Sequence, residues 1–514
     1  MFHLSSKKKQ DVVDRAIQEI DKDLEGAVLS RSLDKNMAML NEFFKDVDIF
    51  KTKLIAIAHI EQVRFGLAYC SSVTDIALLS ENIIEPLTTY SEYPDNDILS
   101  TLMKQVIQVG DIEKSSCVAD IVEAICSGDT IVFADGEAEA LIVSTKSFPT
   151  RSITEPENER SLSGPREGFT ESILTNIAML RRRVHTNKLK IKLISLGKRS
   201  KTKVCICYID GLVHNKILSE LNKRLEKIDI DAVLDTNYIS ELIKDSRISP
   251  FRTTGKTERP DTVIARLLEG RIALIVDGSP TALTLPFLFV ENFQSSEDYY
   301  MNYYYASFSR MLRMFGFLLT LIVPGLYIAV VAYHHEMLPT QLLLNIAAER
   351  SGVPLPASVE AFVMLIVFDI LRETGVRMPS NIGQALSIVG ALVIGQSAVE
   401  ARMVAAPMII IVALTGITNL LVPRLSGPVI LIRYFLLLGA SLFGFYGFAL
   451  GIAAGIIHIL NLRSFGIPQI TAAGNVRFQE VKDTVFRAPW WKMRLRPKGL
   501  ARDKTRLKTG GNDS

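Results

Sequence analysis

The stretch from Phe308 to Leu462 contains uncharged apolar runs that are longer than the core of a soluble protein requires. Phe315–Tyr333 and Met403–Val422 hold no acidic or basic side chain. Each run is close to the roughly 20 residues, rising about 1.5 Å apiece, that cross a bilayer as a helix. Because hydrocarbon offers no hydrogen bonds, such runs must satisfy their own backbone groups as helices. A buried helix of a large soluble protein is the alternative, but several such runs in one block favour a polytopic α-helical membrane domain.

The number of membrane crossings depends on two segments. Val359–Leu371 is apolar but short and carries Glu360 and Asp369, which favours a re-entrant, interfacial or bundle-packed helix over a full span. Val429–Leu462 is long for one span and fits either one kinked helix or two short ones. Lys and Arg are frequent after Val481, so the positive-inside rule predicts a cytoplasmic C-terminus. With both termini in the cytoplasm the number is even, and we expect four crossings, or six if the last segment splits.

One apolar segment, Ile382–Val399, combines a stripe of small residues with a row of polar ones. Small residues at four-residue spacing let helices approach closely in a membrane, and polar side chains there should face protein or water rather than lipid. The row fits either a polar-lined conduit or a hydrogen-bonded clamp between helices. The small residues are Gly383, Ser387, Ala391 and Gly395, and the polar residues beside them are Gln384, Gln396 and Glu400. A second small-residue stripe consists of Gly447, Gly451 and Gly455.

The region before the apolar block is charged, and its pattern predicts a mixed α/β fold. Three apolar runs end in Asp-Gly, at Ile131–Gly136, Cys205–Gly211 and Ile272–Gly278. Asp-Gly favours turns with positive φ and marks a β-hairpin where a second strand follows. A second strand can follow the first and third runs, whereas a helical pattern follows the second.

These patterns predict two cytoplasmic α/β subdomains ahead of the membrane domain. The start of the chain lacks the apolar segment of a secretory signal, so the first apolar helix is expected to direct insertion. The expected ranges are 1–40 for an N-terminal helical segment, 41–185 and 186–300 for the two α/β subdomains, 301–465 for a transmembrane domain of four to six helices, and 466–514 for a basic cytoplasmic tail.

Charge and cysteine usage limit the partners. The formal net charge of +3 gives no general affinity for polyanions. Trp490 and Trp491 precede most of the basic tail, which favours an anionic lipid surface over nucleic acid as its contact. The five cysteines have neither zinc nor disulfide spacing. Cys205 and Cys207 alternate within an apolar run, as buried strand residues do.

The sequence contains no recognisable catalytic, metal or cofactor motif. Gly255-Lys256-Thr257 ends like a phosphate-binding loop, but Pro250 occupies the position of the earlier glycine and no strand leads into the loop. We therefore expect no enzyme activity and no cofactor. The polar, turn-rich stretch Phe148–Arg183 fits equally a binding loop or a plain surface connection.

Several long motifs resemble the A subunits of the GerA-type spore germinant receptors, a family that includes the spore-membrane protein SpoVAF. The resemblance covers the chain from about Asp135 to Trp491. It is carried by ITEPENERSLSGPREGFTESILTNIAMLRRR, TERPDTVIARLLEGRIALIVDGSP, FQSSEDYY, IGQALSIVGALVIGQSAVEARMVAAPMIIIVALTGITN and LRSFGIPQI.

This resemblance implies a multi-pass inner-membrane protein of an endospore-forming bacterium. It implies assembly with a polytopic B subunit and a lipoprotein C subunit, and a homo-oligomer that forms a nutrient-gated ion channel. A SpoVAF-like accessory channel, a secondary transporter of amino acids or cations, and a docking scaffold are the alternatives. The pore or gating candidates carried onto this chain are Gln384, Ser387, Gln396, Glu400, Arg402 and Asn419. The candidate subunit-contact loop is Gly164, Pro165, Arg166, Glu167, Gly168 and Phe169.

Overall fold

The structure is a computed structural model in which the chain forms two compact units. We name them the α/β unit and the helical unit. The α/β unit consists of the chain up to Asp245, Thr254–Phe287 and the chain from Met493, and the helical unit of Ser246–Thr253 and Leu288–Lys492. The residues that the structure describes are 27–56, 63–90, 93, 97–147, 155–156, 159–378, 390, 393–470, 483–496, 500–502 and 505–506.

The α/β unit is built from two sheets with their helices. The first group comprises α1 (Leu33–Phe43), β1 (Phe50–Ala56), β2 (Arg64–Cys70), β3 (Ile112–Ser115), α2 (Val118–Ser127), β4 (Thr130–Ala134) and β5 (Ala140–Val143). Between β2 and β3 lie the helical pieces Ile76–Leu79, Ser80–Ile84, Glu85–Thr89, Ile98–Thr101 and Leu102–Val106. The second group comprises α3 (Ile173–Arg181), β6 (Leu189–Leu196), β7 (Thr202–Ile209), α4 (Asn215–Glu226), α5 (Thr236–Leu242), β8 (Gly255–Thr257), α6 (Pro260–Leu268), β9 (Ile272–Val276) and β10 (Ala282–Leu285).

The two groups are a structural repeat. Within the described residues, the strand orders are β1-β2-β4-β5-β3 and β6-β7-β9-β10-β8, so each sheet follows the order 1-2-4-5-3. Neighbouring strands in both sheets are antiparallel. The repeats share one hydrophobic core, to which Phe133 and Ile177 contribute from different repeats. Cys205 and Cys207 are buried on β7, as their alternation in the sequence predicted.

The first and third Asp-Gly pairs turn hairpins, as predicted, and each also caps a helix. Asp135 follows β4 and accepts a hydrogen bond from the backbone N–H of Leu33, the first residue of α1, at 3.1 Å. Asp277 follows β9 and accepts the equivalent bond from Ile173, the first residue of α3, also at 3.1 Å. The carboxylate therefore ties the hairpin to a helix whose first N–H groups would otherwise lack partners.

A second side chain recurs in the repeat. The Asn36 amide donates to Ser30 O at 2.6 Å and accepts from Ser30 N–H at 2.8 Å. The Asn176 amide makes the same two bonds with Thr170, at 2.5 and 2.8 Å. In both repeats an asparagine inside the helix thus fixes the chain that enters the helix, which is why a residue with low helix propensity is tolerated there.

Replacing Asp277 by alanine is expected to lower the free energy of unfolding by about 1–2 kcal/mol, because a charged helix cap is lost. Thermal unfolding of the detergent-solubilised chain measures the change. Asp210→Ala is the matched control, since Asp210 belongs to the remaining Asp-Gly pair and, within the described part of the chain, its carboxylate accepts from its neighbour Gly211 and caps no helix. Equal effects of the two substitutions would contradict the capping role.

Part of the basic tail packs within the α/β unit. Arg496 Nε donates to Leu268 O at 2.7 Å, and Arg506 lies 3.5 Å from the carboxylate of Glu269. Ala501 is buried against Gly270. Burial opposes ionisation of Glu269, but its arginine neighbours outweigh that effect and lower the pKa of this carboxyl. These tail residues contact protein, whereas the sequence led us to expect a lipid surface for the whole tail.

The described part of the helical unit consists mainly of α-helices. The first, α7, is 31 residues long and passes through Pro324. The helices are α7 (Tyr303–Tyr333), α8 (Thr340–Arg350), α9 (Ala357–Arg377), α10 (Ala406–Leu420) and α11 (Ser426–Asn461). Residues 393–400 are also helical. Short 3₁₀ turns lie at Phe289–Phe293, Ser296–Tyr299, His335–Met337, Pro423–Leu425 and Trp490–Lys492, and a small hairpin pairs Arg463–Ser464 with Ile467–Pro468.

Helix α11 folds back on itself at Gly444, whose φ of 61° and ψ of −139° interrupt the helix. A Cβ on Gly439 would lie 3.0 Å from the carbonyl oxygen of Gly447, and one on Gly451 would lie 2.7 Å from Leu436 Cδ2. In a straight helix these pairs would be about 12 and 22 Å apart. Residues 426–443 and 445–461 are therefore two antiparallel arms, each about 25–27 Å long. The sequence had left one kinked helix and two short ones open.

The other helices pack in defined directions. Gly316 on α7 contacts Leu421 just beyond α10, and Ile328 shares a cluster with Val412, so α7 and α10 are antiparallel. Glu360 bonds the start of α10, so α9 and α10 begin side by side. Helix α9 is longer than its apolar run because it continues through polar residues as far as Arg377. Its 21 residues exceed the short segment for which the sequence predicted something less than a full span.

Candidate functional site

Two residues of the predicted polar row are exposed on the helical residues 393–400. Gln396 Nε2 donates to Glu400 Oε1 at 3.0 Å, four residues further along the same face. Their neighbours Val393 and Ile394 are exposed apolar side chains. An exposed carboxylate beside exposed aliphatic groups would be costly against lipid, so in a membrane this face would need a polar partner or water. The other residues named from this segment, Gly383, Gln384, Ser387 and Ala391, lie outside the described residues.

Asn419 lies inside the bundle, apart from that exposed face. Its side chain is buried, and among the described residues its Nδ2 has no hydrogen-bond partner. Beside it, Thr418 accepts a hydrogen bond from Thr320 of α7 at 2.8 Å, and Thr415 is buried one turn earlier. These side chains form a polar stripe between α7 and α10. The sequence suggested Asn419 but gave no reason to place the threonines beside it.

Arg402 occupies a sharp turn between the helical residues 393–400 and α10. Its φ of 54° lies in the left-handed region that residues with a Cβ rarely adopt. A Cβ on Gly352 would lie 3.0 Å from Arg402 Cδ, so the arginine stem packs over a glycine in the loop between α8 and α9. The predicted role of Arg402 in gating stays a prediction.

The small residues that were predicted to pack helices have different surroundings. A Cβ added at Gly395 would lie 3.8 Å from the side chain of Ile409. Gly447 and Gly451 line the contact between the two arms of α11. A Cβ on Gly455 would meet no atom within 4 Å. The structure adds Gly416, which lies directly under the ring of Phe368 and brings α10 against α9. A single glycine within an apolar run gave no reason to predict this contact from the sequence.

A buried ion pair joins α9 to α11. Arg433 Nη2 lies 2.6 Å from Asp369 Oδ2, and the hydroxyl of Tyr434 donates to the same oxygen at 2.8 Å. Arg433 is fully buried. Among the described residues, Arg433 Nε and Nη1 and Asp369 Oδ1 have no hydrogen-bond partner. The sequence singled out Asp369 as a charge inside an apolar segment, but spacing alone could not pair it with Arg433, 64 residues later.

A second buried ion pair lies at the beginning of α9 and α10. Glu360 is fully buried, and its Oε2 lies 2.9 Å from Arg350 Nη1 at the end of α8. Its Oε1 accepts from the backbone N–H of Ala405 at 2.6 Å. This carboxylate therefore links three consecutive elements and satisfies an N–H at the entry to α10.

A cavity of about 750 Å³ opens beside the Asp369 pair. Its wall is mainly apolar, with charged groups of both signs toward the end of α9. The lining residues are Ile366, Asp369, Ile370, Arg372, Glu373, Thr374, Arg377, Met378, Ile430 and Tyr434.

The Asp369–Arg433 and Glu360–Arg350 pairs and Asn419 are polar groups placed among apolar side chains. Within the described residues, no cluster of His, Cys, Asp and Glu is arranged to hold a metal ion. What they provide is a set of ionised and amide groups between apolar helices. Such groups are costly in hydrocarbon and are typical of ion pathways and of helix contacts that change between two states.

The GPREGF loop is fixed at its base and exposed at its tip. Arg259 Nη2 donates to Pro165 O at 2.6 Å, and the N–H of Phe169, whose ring is in the core, donates to Glu258 O at 2.8 Å. Gly164 and Arg166 are exposed, while Gly168 is buried. Burial opposes ionisation of Glu167, but hydrogen bonds from Arg182 and Arg183 outweigh it and lower the pKa of the carboxyl. A rigid base with an exposed tip suits the subunit contact predicted for this loop.

Comparison with known proteins covers both units. Residues 38–499 match the family described as Bacillus/Clostridium GerA spore germination protein. Spore germination protein KA of Bacillus subtilis (strain 168) is 40% identical over 478 residues, which cover 93% of this chain and 88% of that protein. The uncharacterized membrane protein YfkQ of the same organism is 43% identical over 397 residues, covering 77% of each. The crystal structure of the N-terminal domain of the A subunit of the Bacillus megaterium spore germinant receptor GerK3 matches at 30% identity and a TM-score of 0.41, covering 51% of this chain and 98% of that one.

Proposed function

The chain belongs to the GerA family of spore germination proteins, and on that premise we propose that it is the A subunit of a spore germinant receptor. The observation that carries this proposal is the extent of the similarity, since relatives with spore germination names cover both the α/β unit and the helical unit. In this role the chain acts in the inner membrane of an endospore-forming bacterium, together with a polytopic B subunit and a lipoprotein C subunit.

The helical unit crosses the membrane in this proposal. Two helices support it by length and composition: α7, with a mean hydropathy of 2.3, and Pro423–Asn461, with 1.9. Helices α9 and α10, at about 31 and 22 Å, and the two arms of α11 approach the roughly 30 Å of hydrocarbon. These elements make five crossings, and the apolar run Ile382–Val399 supplies a sixth. Six crossings leave both ends of the chain in the cytoplasm.

The exposed Gln396–Glu400 face supports a homo-oligomer with a central pathway. Lipid cannot solvate the Glu400 carboxylate, whereas a water-filled axis between copies can. Rings of acidic side chains attract cations. We infer that this face lines the pore, with Asn419 and the buried Asp369–Arg433 pair behind it in the helix contacts that must move on opening.

Reconstitution of the full-length chain into liposomes tests the pore. The wild type is expected to release a monovalent cation from the vesicles, and Glu400→Ala with Gln396→Leu is expected to reduce the flux at least tenfold, because the polar wall becomes apolar. Flux is followed with a cation-selective dye inside the vesicles.

The control is Glu373→Ala, which also removes an exposed helical carboxylate but one that pairs with Arg377 on α9. It is expected to leave the flux within a factor of two. If the double variant conducts like the wild type, residues 396 and 400 do not line the pathway. If neither the wild type nor the double variant conducts, although both are folded and oligomeric, the chain is not a channel on its own.

A SpoVAF-like accessory channel is the second candidate function. The similarity to a membrane protein without a germination name favours keeping it. The two roles differ in the spore: deleting a receptor subunit abolishes the response to a particular nutrient, whereas deleting an accessory channel only slows the response to all nutrients. Germination of the deletion strain on single nutrients therefore separates them.

A further inference from the structure

A cavity of about 490 Å³ lies between the first turns of α7 and the returning segment around Trp490. On the α7 side it is lined by Tyr303, Phe308 and Met311, and on the other side by Phe486, Arg487 and Lys492. Ser307 joins the two sides, because its hydroxyl donates to Arg487 O at 3.2 Å and accepts from Arg487 N–H at 3.1 Å. The cavity therefore has a fixed shape with an apolar wall and a basic edge.

Arg487 is the unusual group of this cavity. The residue is 5% exposed, yet among the described residues its guanidinium forms no ion pair. Among these residues it donates to the carbonyl oxygens of Met301 at 3.3 Å and Tyr299 at 3.4 Å and lies over the rings of Tyr299 and Trp490, and its Nε has no hydrogen-bond partner. Burial lowers the pKa of Arg487, an effect that the nearby Asp483 carboxylate partly offsets. A buried cation without an anion is costly, so the group favours an anionic ligand.

The neighbouring arginines on α7 already have carboxylate partners. Arg310 lies 3.2 Å from Asp298 and 3.0 Å from Asp483, and Arg313 lies 2.5 Å from Asp298. The carboxylates of this region are thus held by the arginines of α7 rather than by Arg487. Charge complementarity therefore favours an anionic ligand at the cavity rather than deeper in the bundle.

The depth of the cavity identifies the source of the anion. Phe308 and Met311 precede the uncharged run that begins at Phe315 by seven and four residues, or about 10 and 6 Å along the helix. That is the level of lipid headgroups next to the hydrocarbon. The surrounding surface is aromatic and exposed, with Tyr304, Phe486 and Trp491 as its largest members, which is typical of an interfacial belt.

We propose that this cavity binds one anionic phospholipid, with the headgroup phosphate on Arg487 and Lys492 and the glycerol backbone and first acyl methylenes against Phe308, Met311 and Phe486. The proposal rests on the membrane placement proposed above. A guanidinium and an ammonium suit a phosphate, and the apolar wall accounts for the rest of the cavity, which a free phosphate would leave uncovered. The bound lipid fastens the segment after α11 to the start of α7.

Native mass spectrometry of the delipidated full-length chain tests the proposal by adding back phosphatidylglycerol, phosphatidylcholine or inorganic phosphate. One phosphatidylglycerol is expected to bind more tightly than phosphatidylcholine. Each loss of a basic residue, in Arg487→Gln or Lys492→Gln, is expected to weaken it about fivefold. If Arg487→Gln fails to fold because Arg487 is buried, Lys492→Gln provides the test on its own. Met311→Trp keeps the charge, fills the cavity and is expected to abolish the tight binding.

The matched control is Arg463→Gln, which removes an exposed arginine just beyond the end of α11 that does not line the cavity, and it is expected to bind as the wild type. Equal affinity for the two phospholipids, or equal affinity of all variants and the control, would overturn the proposal. Displacement of phosphatidylglycerol by inorganic phosphate at similar concentration would also overturn it, since the site would then be a phosphate site. Binding is measured without ion flux, so failure of the lipid site and failure of the channel remain distinguishable.

Discussion

Replacing Arg433 by leucine is expected to lower the free energy of unfolding by about 3–5 kcal/mol, the usual cost of breaking a buried ion pair on one side. The substitution removes the cation from Asp369 and leaves a buried carboxylate whose remaining partner is the hydroxyl of Tyr434. In an apolar helix contact such a carboxylate must take up a proton or pull water into the bundle. Thermal unfolding and the monodisperse fraction in detergent both measure the loss.

Two further variants show whether the loss of stability comes from breaking the ion pair or merely from removing the arginine. The double variant Arg433→Leu with Asp369→Leu is expected to recover most of the stability, because it removes both charges together. Arg377→Leu is the matched control, since its ion pair with Glu373 is exposed and should contribute less than about 1 kcal/mol. If Arg433→Leu is as stable as Arg377→Leu, the ion pair does not hold α9 to α11.

Replacing Gly447 by alanine is expected to destabilise the helical unit by about 3 kcal/mol and to open the two arms of α11. The new Cβ would overlap the carbonyl oxygen of Gly439, which is backbone and cannot rotate away. The arms must therefore separate, and the packing between them is lost together with the approach of Gly451 to Leu436. Thermal unfolding in detergent gives the magnitude of the change.

Gly455→Ala is the control for this substitution. It makes the same chemical change on the same arm, but a Cβ at Gly455 would meet no atom within 4 Å. It is expected to be neutral or slightly stabilising, since alanine has the higher helix propensity. Equal destabilisation at both positions would mean that the hairpin at Gly444 does not determine the stability of this segment.

The local features of the fold could be predicted because local sequence causes them. Alternation and the Asp-Gly pairs gave the hairpins β4–β5 and β9–β10, and the helical pattern after Gly211 became α4. The duplication of the α/β unit was not predicted, although the Asp-Gly pairs were noticed. The repeat is carried by strand order and by the caps at Leu33 and Ile173, and these are contacts more than 100 residues apart.

The long apolar block with a few charges inside it follows directly from the amino-acid sequence, because hydropathy is a property of each residue and adds along the chain. Which of those charges meet depends on how the helices pack. Asp369 finds Arg433, Glu360 finds Arg350, and Gln396 with Glu400 stays on an exposed face. Pairing depends on the direction in which each helix runs past its neighbours, and that direction is set by contacts between residues far apart in the sequence, such as Gly416 with Phe368.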